Sequence, residues 1–195
     1  MPLKSSTQKT RCAWSKAWED PLYINYHDKE WGVPVHDDRL IFEFLVLESF
    51  QAGLSWAIVL RKRENFRKAF AKFDPAKVAK FNAKDLKRLI NDAGIIRNRL
   101  KIAAAVNNAR RFLEVQKEFG TFAKYAWSFM GGKPLKNKWK RMQDVPPVTA
   151  IAQEWAADLK KRGFKFLGPT VIYAHMQATG MVNDHTVDCF RYHEV

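Results

Sequence analysis

Apolar positions recur at helical spacing along almost the whole chain, and no stretch alternates in the manner of a half-buried strand. Over residues 38–52, Leu40, Ile41, Phe44, Leu45 and Leu47 fall along one side of a helix, with Asp37 or Asp38 as its cap. A second helix is predicted to begin after Ser55 and run to residue 73, where Asp74-Pro75 breaks it. Asn82 with Asp85 three residues on predicts a capped helix that stops at Gly94. A long helix over about 97–118 and a short one over 121–129 follow. Residues 131–147, GGKPLKNKWKRMQDVPP, have three prolines and no period, which predicts a loop. Helices resume over 149–162 and 169–179, with Gly163, Gly168 and Gly180 as breaks. The pattern predicts an all-α fold without internal repeats: one domain over residues 11–195 with two helical lobes, preceded by a flexible basic tail over residues 1–10.

Composition supports a packed globule, since the 195 residues are 47% hydrophobic and include 14 Phe and 7 Trp. No run is long enough to span a bilayer; IFEFLVLESF is interrupted by Glu43 and Glu48. The opening MPLKSSTQKTRC is polar with no apolar segment behind it, so a secretory signal is not expected and a cytoplasmic location is. In a reducing compartment the two cysteines, Cys12 and Cys189, read as metal ligands or plain thiols rather than a disulfide.

Charge changes the picture more. The chain carries 34 Lys/Arg against 20 Asp/Glu, a net +14, and the excess is segregated. Residues 61–118 hold 17 basic against 6 acidic side chains and 133–165 hold 9 against 3, whereas 21–60 hold 2 against 6. A segregated excess of this size points to a polyanion, nucleic acid first, and no segment combines a basic face with the apolar stripe that a membrane surface would need. KKRGFKFLGPT, 160–170, supplies a seat for phosphate. A helix ends at Gly163, a turn follows, and Gly168-Pro169-Thr170 opens the next helix with its unpaired N–H groups outward, among Lys160, Lys161, Arg162 and Lys165. Such a hairpin grips backbone and reads no sequence; the alternative is an ordinary corner between two helices.

Near the C-terminal end stands NDHTVDC, 183–189. If that stretch is helical, His185 and Cys189 lie on one face and form half of a tetrahedral site. Two free thiols and ordinary histidines are the alternative.

DPLYINYHDKEWGVP (20–34), ESFQAGLSWAIVLRKRENFRKAF (48–70), NDAGIIRNRLKI (91–102), RGFKFLGPT (162–170) and MQATGMVNDHTVDC (176–189) together resemble the bacterial 3-methyladenine DNA glycosylase I family, over nearly the whole chain. The resemblance implies a helix-hairpin-helix fold, excision of 3-methyladenine from alkylated double-stranded DNA, and one structural zinc near the joined termini. Carried over by position, the zinc ligands are Cys12, His27, His185 and Cys189, although the gap from Cys12 to His27 is slightly longer than the family's, through AWSKAWED. Glu48 would meet the edge of the extruded base and serve as the catalytic carboxylate, with Tyr26 and Trp56 against the base's faces. Leu54, on flexible Gly53, would fill the hole left in the duplex. Lys161, Arg162, Lys165, Gly168 and Thr170 would contact DNA. Tyr23 and Trp31 read as core, and His36, His175 and His193, which have no partners for a metal site, as surface or core histidines.

A further departure from the family and one open role qualify this. Ser49-Phe50 replaces a small-then-polar pair and bears on the rim of the pocket. Asp184 sits near the place of the catalytic aspartate of other helix-hairpin-helix glycosylases, but its neighbour His185 is claimed by metal, so it is either catalytic or a supporting group. Pro169-Thr170 offers no lysine for a Schiff base, so a monofunctional glycosylase acting as a monomer is expected. The rivals are a same-fold glycosylase with a broader alkylbase range and a non-catalytic, zinc-stapled DNA-binding module.

Overall fold

The computed structural model describes residues 9–13 and 20–195. Most of the basic tail and most of AWSKAWED lie outside the described residues. Lys9 and Thr10 are seated at the far end of the chain: Thr10 O accepts from Phe190 N at 3.0 Å, and Lys9 Nζ lies 4.2 Å over the Phe190 ring.

The architecture is helical, and most boundaries follow from local chemistry. Helix α1 (Pro21–Lys29), which the periodicity did not predict, starts from proline at its first position and from Asp20, whose carboxylate accepts from Leu22 N. Helix α2 (Asp38–Gln51) is capped by Asp37. Asp38, just inside it, accepts from Phe122 N and Ala123 N, both at 2.8 Å, and so holds the start of a distant helix. Residues 41–50 are all buried, so α2 has no solvent face and forms the axis of the core. Helix α3 (Trp56–Ala69) ends four residues earlier than its pattern predicts. Ala71, Lys72 and Phe73 turn left-handed, with φ of 50°, 56° and 55°, as Phe73 stacks on Phe70 at 6.0 Å. Short α4 (Pro75–Val78) follows, then α5 (Ala83–Asn91), whose Asn82–Asp85 capping box is present on both sides. Long α6 (Arg99–Phe119) and α7 (Phe122–Ser128) agree closely with the pattern.

The predicted loop 131–147 contains one regular pair: β1 (Leu135–Lys136) runs parallel to β2 (Val182–Asn183). Two residues are too few to show alternation, and their partner lies far along the chain. Helices α8 (Ala150–Lys161) and α9 (Pro169–Ala178) form the hairpin, and α9 packs on both α8 and α2. Gly180 closes the segment after α9 with φ of +65°. A Cβ there would meet Val33 C at 2.3 Å and Pro34 N at 2.4 Å, so glycine alone lets these two backbones touch. No helix among the described residues is long and apolar enough to cross a membrane.

Candidate active site and metal centre

Helices α1, α2, α3 and α9 enclose a cavity of about 400 Å³. Glu48, Tyr26 and Trp56 all line it, as the resemblance implied. So do Tyr23 and Trp31, expected in the core, together with Gln51, Met142, Ala174 and Gln177. Tyr26 and Trp56 do not face each other across a gap. Their ring centroids lie 5.3 Å apart at 49°, so they meet as a corner that offers a base one stacking face and one ring edge. Ser49 and Phe50 are not on the rim: Ser49 Oγ is bound to Val46 O at 2.7 Å, and Phe50 packs against Phe66 at 4.9 Å, both buried inside.

Glu48 is 3% exposed. One carboxylate oxygen, Oε2, is 2.9 Å from Nδ1 of His175, one of the histidines read as surface or core; the other, Oε1, is buried without a partner. Burial pushes the Glu48 carboxyl above the usual range, and its contact with His175 acts against that rise. Trp56 Nε1 is likewise buried and unpartnered. Two of the residues lining the cavity thus carry a buried polar atom without a partner, one acceptor and one donor, among aromatic side chains, a composition that suits a flat, polar-edged ligand. The Tyr26 phenol is held neutral, chiefly by burial and then by the Glu48 charge.

A second cleft of about 340 Å³ adjoins it, sharing Glu48, Gln51 and Ala174 and reaching Gly53, Leu54 and Thr170. Gly53 turns the chain with φ of +85° in open space, and Leu54 is 40% exposed. Lys101, buried on α6, donates to Phe50 O at 3.0 Å and to Ala52 O at 2.7 Å, so an ammonium caps the α2 end from which this loop departs.

At the hairpin, Lys161, Lys165, Gly168 and Thr170 are exposed, and α9 opens without a side-chain cap. Asn108 clamps the turn by accepting from Lys165 N and donating to Lys165 O, each at 2.8 Å. Arg162 is placed otherwise than expected. Its guanidinium is bonded to Asp158 at 2.6 Å and Glu118 at 2.7 Å and covers the Tyr125 ring, so its charge is spent within the fold.

Asp184 is not a free carboxylate. Oδ1 accepts from Asn137 Nδ2 and Trp139 Nε1, both at 2.7 Å, and Oδ2 from Tyr173 OH at 2.6 Å and Gln177 Nε2 at 2.8 Å. Four donors occupy all its lone-pair directions, which leaves none for a water and assigns Asp184 to support.

Cys12, His27, His185 and Cys189 converge, fully buried, with their ligand atoms all within 4.8 Å of one another. NDHTVDC is not helical; β2 passes into a turn in which Cys189 N donates to Thr186 O at 2.8 Å, and that turn brings Cys189 Sγ to 3.4 Å from His185 Nδ1. Cys12 Sγ is also 3.4 Å from His185 Nδ1, and Cys189 Sγ is 3.6 Å from His27 Nε2. In a tetrahedral site with metal–sulfur bonds of about 2.3 Å and metal–nitrogen bonds of about 2.0–2.1 Å, the sulfur–nitrogen edge is about 3.5 Å. The remaining ring nitrogens are oriented as metal ligands require: His27 Nδ1 lies 2.8 Å from Asp28, itself held by Arg11, and His185 Nε2 lies 3.1 Å from Trp31 O. Cys189 is pulled well below the usual thiol range, first by the Cys12 hydrogen bond and then by the two imidazoles, while Cys12 is pushed up as that bond's donor. The donor set fits a thiophilic ion.

Comparison with known proteins gives one family. The chain is 48% identical over 182 residues to DNA-3-methyladenine glycosylase 1 of Escherichia coli, covering 93% of this chain and 96% of that protein. It is 46% identical over 180 residues to DNA-3-methyladenine glycosylase of Haemophilus influenzae, covering 92% and 96%. A crystal structure of 3-methyladenine DNA glycosylase I superposes with a TM-score of 0.89 at 48% identity, over 93% of this chain and 98% of that one. Another, from Staphylococcus aureus, described as the structural basis of 3-methyladenine recognition, has a TM-score of 0.86 at 40% identity, over 88% and 92%. Residues 14–192 match the family described as methyladenine glycosylase, and with the aromatic cavity, its buried glutamate and the hairpin in place, the chain belongs to that family.

Proposed function

We propose that this protein is a monofunctional glycosylase that hydrolyses the N-glycosidic bond of 3-methyladenine in alkylated double-stranded DNA. The observation that carries the reading is Glu48 Oε1, a buried acceptor without a partner in an aromatic cavity. A base inside a duplex is out of reach, so the nucleotide is extruded into the cavity. Methylation at N3 leaves the base cationic, which already weakens its bond to C1′. On cleavage the bonding electron pair goes to the base and neutralises it, while water adds at C1′ and releases a proton. Little acid catalysis is needed, and the pocket's task is discrimination. Glu48 supplies charge and an acceptor at the base's edge, and the corner of Tyr26 and Trp56 supplies a π-face that favours a cation.

Leu54 fills the vacated stack, and Lys161, Lys165 and the amides after Gly168 hold phosphate. The protein acts as a monomer, and its DNA substrate places its work in the bacterial cytoplasm. The four buried ligands hold one Zn²⁺; the set is closed, leaving no position for chemistry, so the ion is structural. It is named zinc because two thiolates and two imidazoles in a tetrahedron suit that ion.

The test is to incubate the protein with DNA treated with a simple methylating agent and to identify the bases set free. Release of 3-methyladenine alone is expected. A protein that binds the DNA but frees no base would be a binding module, and 7-methylguanine released at a similar rate would mean a broader range.

A further inference from the structure

Glu48 is held by a histidine rather than by a cation, and the difference has chemical content. His175 projects from α9, is 1% exposed, and meets Glu48 Oε2 of α2 through Nδ1 at 2.9 Å. An ionised carboxylate only accepts, so the proton of that bond sits on Nδ1. The other ring nitrogen, Nε2, is buried without a partner, and the Trp155 ring lies edge-on at 5.6 Å. Protonating Nε2 would create a buried N–H of a cation with nothing to accept it, so the fold favours the neutral Nδ1–H form. From α1, the Tyr26 phenol faces the same carboxylate and is neutral.

Glu43, one and a half turns earlier on the same helix, shows the contrast. It accepts from Arg63 and Arg67, two cations that cancel its charge and occupy both of its oxygens. Glu48 receives one neutral donor on one oxygen. We propose that His175 is a positioning and specificity-determining residue: its Nδ1–H fixes the Glu48 carboxylate by Oε2, turns Oε1 to the base, and leaves the full negative charge for a cationic ligand. This rests on the base-excision reading of the cavity.

Two measurements test it. In ¹⁵N spectra of the intact protein at neutral pH, His175 should show the neutral tautomer protonated at Nδ1; a protonated Nε2, alone or in an imidazolium, would overturn the proposal whatever any variant does. Among variants, His175→Asn keeps a neutral N–H close to the place of Nδ1, and His175→Leu removes it. His175→Leu should lose about 10–100-fold in both excision and affinity for free 3-methyladenine, the range for losing a hydrogen bond to a charged group. His175→Asn should stay within a few fold of the parent, and both should bind undamaged DNA normally. His175→Leu with full activity, or His175→Asn falling as far as a folded His175→Leu, would refute the positioning role. A parent protein that frees no 3-methyladenine would instead refute the base-excision reading, and the tautomer result would stand independently.

Discussion

Glu43 and Glu48 interrupt the same apolar run of α2, and both are buried, yet only one is available for chemistry. The sequence places two carboxylates in a hydrophobic helix and cannot rank them, because their partners, Arg63, Arg67 and His175, come from other helices. Resemblance picked out Glu48; the spare oxygen supplies the physical reason. The same blindness hid the partner of His175, 127 positions away, and the fact that Tyr23 and Trp31, core residues as expected, also line the cavity, since an aromatic side chain at a cavity has the same sequence signature as one packed inside. Arg162 is a related case: a run of basic residues does not tell which members pair with local acids, as Arg162 does with Asp158 and Glu118. Glu48→Gln keeps the shape and removes the charge. It should lower excision and base affinity by about 10–100-fold, read by base release and by titration with free 3-methyladenine, with undamaged duplex bound as before.

At the scale of elements, α2, α6, α7 and α8 were legible because caps and period agree, and α9 because Gly168-Pro169 marks its start; α1 has a cap and a proline but little period, and the β1–β2 pair joins residues far apart in the chain. Helix α9 brings three roles together: its open N-terminus at the hairpin, Ala174 toward the cavities with His175 on Glu48 behind them, and Tyr173 and Gln177 on Asp184. If the hairpin grips phosphate, Lys161→Glu with Lys165→Glu should weaken binding to every duplex about equally. The salt dependence should flatten as well, by about 0.9 in log–log slope for each phosphate no longer neutralised. Affinity for the free base should stay put; a parallel fall would move these lysines out of the DNA interface. The junction after α9 is less forgiving. Gly180→Ala pushes a methyl into the Val33–Pro34 backbone at a positive φ and should cost roughly 2–4 kcal/mol in denaturant unfolding.

For the whole molecule, the four buried ligands tie residue 12 to residue 189. If they hold a metal ion, chelating it, or removing one ligand by Cys189→Ser, should lower the melting temperature by roughly 4–12 °C, about 2–3 kcal/mol for a chain of this size. Glu48, His175 and Trp56 lie outside the ligand set, so protein still folded below that temperature should go on freeing 3-methyladenine; stable metal-free protein without activity would show the ion to be catalytic. The clasp also has a clock. His27 and His185 are 158 positions apart, and at roughly 5–20 residues per second a ribosome needs about 8–30 s to make the stretch between them. Throughout that interval Cys12 is a lone thiol with half a ligand set, and the cavity lacks the wall that Ala174 and Gln177 provide. The ligand set and that wall are thus completed only when residues 174–189 have been made.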